Sequence, residues 1–520
     1  MLILITVLLL VLTASTLLII RAIQPGFRFF WLIAVGGALL AWASTWIWLA
    51  RLPLVFELPP WQPAILFLDS PSFLADGISW PFALGLTTLA LAIMLTAVVR
   101  QDLTNPLPWA GTLTLTGLGV LAVTSNNTLT LVLVWAALDL AELIAQLGSV
   151  DNPSASERVV IGFATRVIGI GLAVWANVIS VASGGRVDFL SMSPQAGLYL
   201  LVAAGLRLGV LPLHLPYSAE SSMRRGVGTA VRLISAASSL ILLARIPPSS
   251  VISPLTPYLF ILTSIAAIYG GWMWLRAPDD LAGRPFWVIG LASLAIAAAL
   301  RADSAGAAGW GAVLILTGGA LFLASVQQVW LNRALLIGVF GLSSLPFSLT
   351  AGTWSNDSPT FFLAWPFLLA AQTMLIAGFI RHSLRPGVRE NIESHPRWAR
   401  NVYPAGISLL LLTMLALGFI GWDGARQIGN IVTALAVSLL TLGLVWATPR
   451  LPFLNPIRAH WVRPSAGLRL DNLYGGLWSF YQTLGRLSAT LSATLEGEGG
   501  IMWSLLFLAI FISFMSQASP

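Results

Sequence analysis

The chain is a series of long apolar runs, each of about 18–22 residues, separated by short polar stretches. A run of that length is what a helix needs to cross the hydrocarbon layer of a bilayer. In lipid no water is available to backbone N–H and C=O groups, so each segment must satisfy its own hydrogen bonds, and helices do this. The composition agrees: 57% of residues are hydrophobic and 9% are charged, too few charges to cover a soluble domain of this size. Trp31, Trp80, Trp109, Trp354 and Trp422 fall near the ends of runs, where interfacial anchors belong. The predicted class is an all-α integral membrane protein embedded in a lipid bilayer.

About sixteen spans can be placed. They lie near residues 1–21, 29–50, 79–99, 107–124, 128–148, 160–182, 195–216, 227–245, 254–275, 285–301, 309–328, 333–350, 360–381, 402–421, 427–447 and 500–517. The first run lacks a basic leader and a cleavage site, and reads as a retained span. Arg residues sit mostly in alternate loops. The odd-numbered loops hold 19 and the even-numbered loops 5. By the positive-inside rule the odd loops face the cytoplasm, which predicts a multi-pass protein of the plasma or inner membrane with both termini outside. Residues 468–496 differ from the spans. Leu470, Leu473, Leu477, Phe480, Leu484, Leu487, Leu491 and Leu495 recur every three or four positions among polar residues. This spacing predicts a lateral amphipathic helix roughly 45 Å long, either covering its own bundle or strapping a neighbouring subunit.

Several chemistries are excluded. There is no Cys, hence no thiolate metal site, iron–sulfur cluster or disulfide. The four His residues lack metal-ligand spacing, and no glycine-rich phosphate loop lies between a strand and a helix. No cofactor or metal site is expected, and the chain is not expected to be catalytic by itself. The basic balance does not point to nucleic acid, because the Arg residues are scattered rather than set in a stripe. All 27 basic residues are Arg; there is no Lys.

Two spans carry internal breaks. The seventh contains Pro212 and Pro216; the twelfth contains Gly341, Ser343, Ser344 and Pro346. The two are five spans apart, which predicts two inverted five-helix repeats with broken helices 7 and 12. The expected divisions are an N-terminal group of three helices (1–106), a first repeat (107–245), a second repeat (246–381), helices 14 and 15 (382–447), and the amphipathic helix with the last span (448–520).

Several short segments together resemble the antiporter-like membrane subunits of respiratory complex I, of Mrp-type cation/proton antiporters and of membrane-bound hydrogenases. Phe73-Leu74-Ala75-Asp76-Gly77-Ile78-Ser79 resembles the "L-x-x-D-G-[LI]-S" at the start of helix 3. Thr124-Ser125-Asn126-Asn127 resembles the turn between helices 4 and 5. Gly185-Arg186-Val187-Asp188-Phe189 resembles "G-x-x-D-[FL]" after helix 6. Leu211-Pro212-Leu213-His214-Leu215-Pro216 resembles "P-[LF]-H-x-W-L-P" at the end of helix 7, without its Trp. Asp279-Asp280-Leu281 resembles the "D-L-K-R" opening of helix 10, and Ala320-Leu321-Phe322 the "H-A-L-F-K" of helix 11. The resemblance runs along nearly the whole chain. It implies other membrane subunits as partners and protons or monovalent cations as cargo. It also implies a place in a complex I-like translocase (NADH:quinone or hydrogenase type), whose redox chemistry belongs to partners.

The same resemblance implies a relay of titratable residues, and most of it is missing. The helix 5 Glu aligns with Ala136, the helix 7 Lys with Arg207, the helix 8 position with Ala237, and the helix 11 His and Lys with Gly319 and Leu323. Helix 12 offers no ionisable residue until Asp357. A guanidinium keeps its proton at any ordinary pH, so Arg207 can be a counter-ion and not a proton carrier. The remaining ionisable residues within spans are Asp139, Glu142, Arg166, Arg207 and Arg232. Asp139 and Glu142 share a helix face and need Arg partners, either as a static ion-pair network or as a residual proton or ion half-site. His214 reads as an interfacial hydrogen-bonding group, with a shuttle role the alternative, and Asp76 as a loop cap. A divergent subunit with a degenerate proton path is the first expectation. A stand-alone cation or solute transporter and a structural membrane-arm scaffold are the others.

Overall fold

Apolar helices make up most of the chain, and twelve of those among the described residues are long enough to cross a membrane. A computed structural model describes residues 1–59, 70–99, 105–148, 153–189, 191–215, 225–326, 328–354, 364–384, 392–420, 430–447 and 450, with 479, 482, 483 and 486. The sixteenth span, Pro216, Asp357, Trp422 and all but four residues of the amphipathic stretch lie outside these. Met1–Val462 form one unit and Arg463–Pro520 another. The helices from Leu2 to Ala447 belong to the first.

They are α1 (Leu2–Ile23), α2 (Phe30–Trp48), α3 (Ser79–Thr96), α4 (Leu107–Thr124), α5 (Thr128–Leu147), α6 (Pro153–Ala182), α7 (Pro194–Arg207) and α8 (Arg225–Arg245). They continue as α9 (Thr256–Arg276), α10 (Asp280–Leu300), α11 (Ser304–Leu323), α12 (Val329–Leu335), α13 (Ile337–Leu342), α14 (Trp365–Leu384), α15 (Arg397–Ile420) and α16 (Ile431–Ala447). At the centre α11 is wholly buried, with α8, α10 and α3 close behind, whereas about a third of α1 is buried. Since lipid is as apolar as Leu, close packing rather than water exclusion joins such helices, and small residues permit it. Where α9 crosses α10, a methyl group on Gly270 would lie 2.6 Å from the Gly290 amide nitrogen.

Both expected breaks are present. Helix α7 stops at Arg207, nine residues short of the expected end of that span at 216. Gly209 follows with φ +75°, and the amides of Val210 and Leu211 both turn back to the Gly205 carbonyl. The twelfth span is two short helices, α12 and α13, ending at Leu342; Ser344 and Phe347 then take positive φ, and Pro346 lies in that non-helical stretch. Other boundaries move by a few residues. The largest consequence is at α10, which begins at Asp280 rather than 285. Asp279 caps it, accepting from the Ala282 amide at 2.7 Å, so Pro285 lies inside the helix and not at its start.

One element departs from the all-α reading. Leu54–Glu57 (β1) and Ser72–Ala75 (β2) form a two-stranded antiparallel sheet. Its neighbours explain it. Phe73 bridges to Ser125, Asn127 bridges to Asp188, and Asn127 Nδ2 donates to the Ser70 carbonyl at 2.9 Å. Arg245 Nη2 reaches Asp76 Oδ1 at 3.2 Å. The segments 73–79, 124–127 and 185–189, far apart in sequence, therefore meet at one end of the helices. Asp76 also accepts from the Ser79 amide at 2.8 Å, as a cap does.

Candidate functional site

Helix α5 is amphipathic in the sense proper to a membrane protein. Leu133, Leu140 and Ile144 are exposed, while Trp135, Asp139 and Glu142, at i, i+4 and i+7, form one buried stripe. Asp139 and Glu142 are both wholly inaccessible. An ionised carboxylate there costs several kcal/mol unless it is paired, and two guanidinium groups are at hand: Arg166 on α6 and Arg207 at the last residue of α7.

Arg207 grips Asp139 with its fork, Nη1 to Oδ2 at 2.6 Å and Nη2 to Oδ1 at 2.9 Å. Bidentate pairs of this kind are the strongest that side chains make. The remaining groups of Arg207 are also engaged. Nη1 donates to the Arg166 carbonyl at 3.3 Å, Nε donates to Ser239 Oγ on α8 at 3.3 Å, and the guanidinium lies 4.2 Å from the Trp135 ring centroid. Gly169 on α6 makes room, since a methyl there would meet Arg207 Cγ at 2.7 Å. Arg166 bridges the acids, Nε to Asp139 Oδ1 at 3.4 Å and Nη1 to Glu142 Oε2 at 2.7 Å. The four charges sum to zero.

Within this neutral set the two carboxylates are held unequally. Asp139 pairs with both guanidinium groups. Glu142 ion-pairs with Arg166 alone, at Oε2 and without hydrogen-bond alignment, and the Ser235 hydroxyl of α8 stands beside it.

Of the residues singled out in the sequence, the structure joins Asp139, Glu142, Arg166 and Arg207. Arg232, on α8, donates to its own helix at the Gly228 carbonyl, 3.1 Å, and has no described ion pair with the two acids. His214 Nδ1 lies 2.8 Å from the Pro212 carbonyl, a local contact. Pro212 and Pro346 lie in the non-helical stretches after α7 and α13.

Two features of the interior were missed. Arg284 is 1% exposed, one turn into α10; a start of that helix at 285 had left it in a loop, although Asp279 is the better N-terminal signal. The second is a network of mostly neutral groups at the twelfth-span break, with one guanidinium, Arg301, at its edge. Gln372 on α14 donates to the Leu342 carbonyl at 2.8 Å and to Ser344 Oγ at 2.9 Å, and accepts from Trp354 Nε1 at 3.1 Å. Thr350 Oγ1 donates to the Gly341 carbonyl at 2.9 Å, and Arg301 Nη2 to the Thr353 carbonyl at 2.7 Å.

Neither a family model nor a curated protein matches the sequence. Solved structures do. A chain of the Mrp complex from Dietzia sp. DQ12-45-1b superposes on all of this chain with a TM-score of 0.71 at 15% identity. This chain spans 63% of that one's length. A chain of the membrane-bound sulfane sulfur reductase, an archaeal respiratory membrane complex, matches 98% of this chain with 99% of its own (TM-score 0.63, 12% identity). A chain of respiratory complex I from Thermus thermophilus matches 85% with 100% of its own (TM-score 0.61, 18% identity). The chain shares its fold with these chains of membrane complexes.

Among the positions that the resemblance aligns with titratable residues, Ala136 lacks the inward direction and Gly319 is closely packed. Ala136 is on the exposed side of α5, one residue or about 100° round from Trp135; the inward acid is Asp139, a full turn later. Ala237 and Leu323 are wholly buried among apolar neighbours. At Gly319 a methyl group would already lie 2.9 Å from Leu89 Cδ1 and 3.4 Å from Leu410 Cδ1. A longer side chain at Gly319 must therefore displace the ends of Leu89 and Leu410.

Proposed function

We propose that the chain is an antiporter-like membrane subunit of a proton- or cation-translocating assembly, of complex I, hydrogenase or Mrp type, whose own proton path is degenerate. In this reading its partners are other membrane subunits, and any redox step belongs to them. The odd-numbered, Arg-rich loops face the cytoplasm of a plasma or inner membrane.

The carrying observation is the bidentate Arg207–Asp139 pair. It occupies the broken seventh helix, where the resemblance implies a Lys able to give up its proton. Arg207 cannot, and the pair binds α7 to α5 with Arg166 of α6 closing the set. The cluster is a static clamp between three helices.

The two-repeat organisation has support in the neighbours that helices keep. α4 packs on α5 and α8, as α9 packs on α10 and α14; α5 packs on α6 as α10 packs on α11. The pairs match if 107–245 and 246–381 are the repeats.

A second reading rests on one observation, the looser hold on Glu142, which has one guanidinium partner where Asp139 has two. The less strongly paired carboxylate is the easier one to protonate, so Glu142 is the residue to test for a surviving half-site. The full chain, purified in mild detergent, is expected to bring membrane partners with it. Reconstituted alone, it is expected to pass no protons under an imposed gradient, with Glu142→Gln unchanged. Flux through the lone chain that Glu142→Gln abolishes would replace the clamp with the half-site. Solute movement independent of both acids would favour a stand-alone transporter.

A further inference from the structure

Arg284 differs from every residue of the α5–α7 cluster in having no described carboxylate within ion-pair distance. It is 1% exposed. Nη1 donates to the neutral acceptor Thr229 Oγ1 on α8 at 3.2 Å, and the Phe322 ring centroid of α11 stands 5.9 Å from Cζ. Nε and Nη2 are buried with no acceptor. The acid one turn earlier, Asp280, is an ion-pair partner of Arg225, whose Nη2 lies 3.2 Å from Oδ1 and whose Nη1 pairs with Oδ2. No described carboxylate is within ion-pair distance of Arg284; Arg232 and Arg225 add positive potential around it, which the more distant Asp280 and Asp279 offset in part.

A guanidinium does not neutralise itself by losing its proton, as a buried Lys would. A water molecule can accept from Nε and Nη2 but brings no charge. An anion does both. One unmatched cation calls for one negative charge. Because both nitrogens are closed to solvent, a bare ion suits them better than a lipid headgroup with its glycerol and acyl chains.

We propose that Arg284 anchors a binding site for a small monovalent inorganic anion of halide size, enclosed between α8, α10 and α11. Nε and Nη2 of Arg284 are its donors. Arg225, whose side chain is part-exposed, stands at the same end of α8 and α10 and adds to the field that draws the ion in. The site is independent of the role given to the α5–α7 cluster.

The test uses the purified full chain in detergent. Its thermal midpoint, read from Trp fluorescence, is followed as sodium gluconate is exchanged for chloride or bromide at constant ionic strength. The native chain is expected to show a saturable rise with either halide. Arg284→Met is expected to lose that rise and, in gluconate, to melt no lower than the native chain, because the replaced charge had no partner there. Arg284→Gln, which keeps polar donors, serves if the Met variant does not fold; its apparent halide affinity is expected to be at least tenfold weaker. A native midpoint indifferent to halide leaves water as the occupant and overturns the site. The same halide response in both variants moves the anion elsewhere and also overturns it. A larger saturable rise with phosphate than with chloride assigns an oxyanion and overturns the halide-sized reading.

Discussion

The two broken spans solve the same backbone problem with opposite chemistry. At the end of α7 the break is flanked by four formal charges, Asp139, Glu142, Arg166 and Arg207, locked at 2.6–3.4 Å. After α13 it is held by hydroxyls and an amide, Ser344, Thr350, Thr353 and Gln372, with Trp354 alongside and a single guanidinium, Arg301, on the Thr353 carbonyl. The charged set is all-or-nothing: each member removed leaves an opposite charge buried in a low-dielectric interior. The neutral set is divisible, because each bond lost costs one modest increment. The contrast also limits transport. Hydroxyls and amides can pass hydrogen bonds along a chain but hold no proton at reachable pH, so the network at this break offers no place for one to rest.

The contrast can be broken most directly at Arg207. Arg207→Ala is expected to destabilise by about 3–5 kcal/mol, since Asp139 loses its fork and only the longer Arg166 contact remains. Thermal unfolding in detergent reads this. The double change Asp139→Leu with Arg207→Met is expected to recover most of the loss, because no charge is then orphaned; a double variant as unstable as the single would show that packing, not charge, is what Arg207 supplies. Arg207→Lys keeps the charge and loses the fork, with an expected cost of about 1–3 kcal/mol and weakened binding of α7 to α5. Gln372→Leu, the largest change in the neutral set, is expected to cost about 1–3 kcal/mol through unsatisfied buried groups at Leu342 and Trp354. Ser344→Ala should fall at about 0.5–1.5 kcal/mol, by the same melting measurement. If Ser344→Ala matched Arg207→Ala, the distinction between the two breaks would be gone.

Run length made the helices legible, because the bilayer fixes how many apolar residues a span needs. The inward pairing of Asp139 and Glu142 with Arg166 and Arg207 was legible because few partners exist inside such a bundle. The short β1–β2 sheet was not: four-residue strands carry too little periodicity to register beside twenty-residue runs. Arg284 was misplaced because Pro285 invited a helix start that Asp279 had already supplied six residues earlier. The neutral network escaped for a different reason. Ser, Thr and Gln are ordinary in loops and helices alike, and only the fold brings Gln372 back to the backbone of Leu342, thirty positions away.

The tight seat of Gly319 against Leu89 and Leu410 carries a last consequence. An ionisable side chain placed there displaces the ends of both leucines, so α3 and α15 must yield volume as it enters. Any return of charge at that position is thereby coupled to its neighbours: the change begins with a packing cost, and compensating changes at Leu89 or Leu410 relieve it.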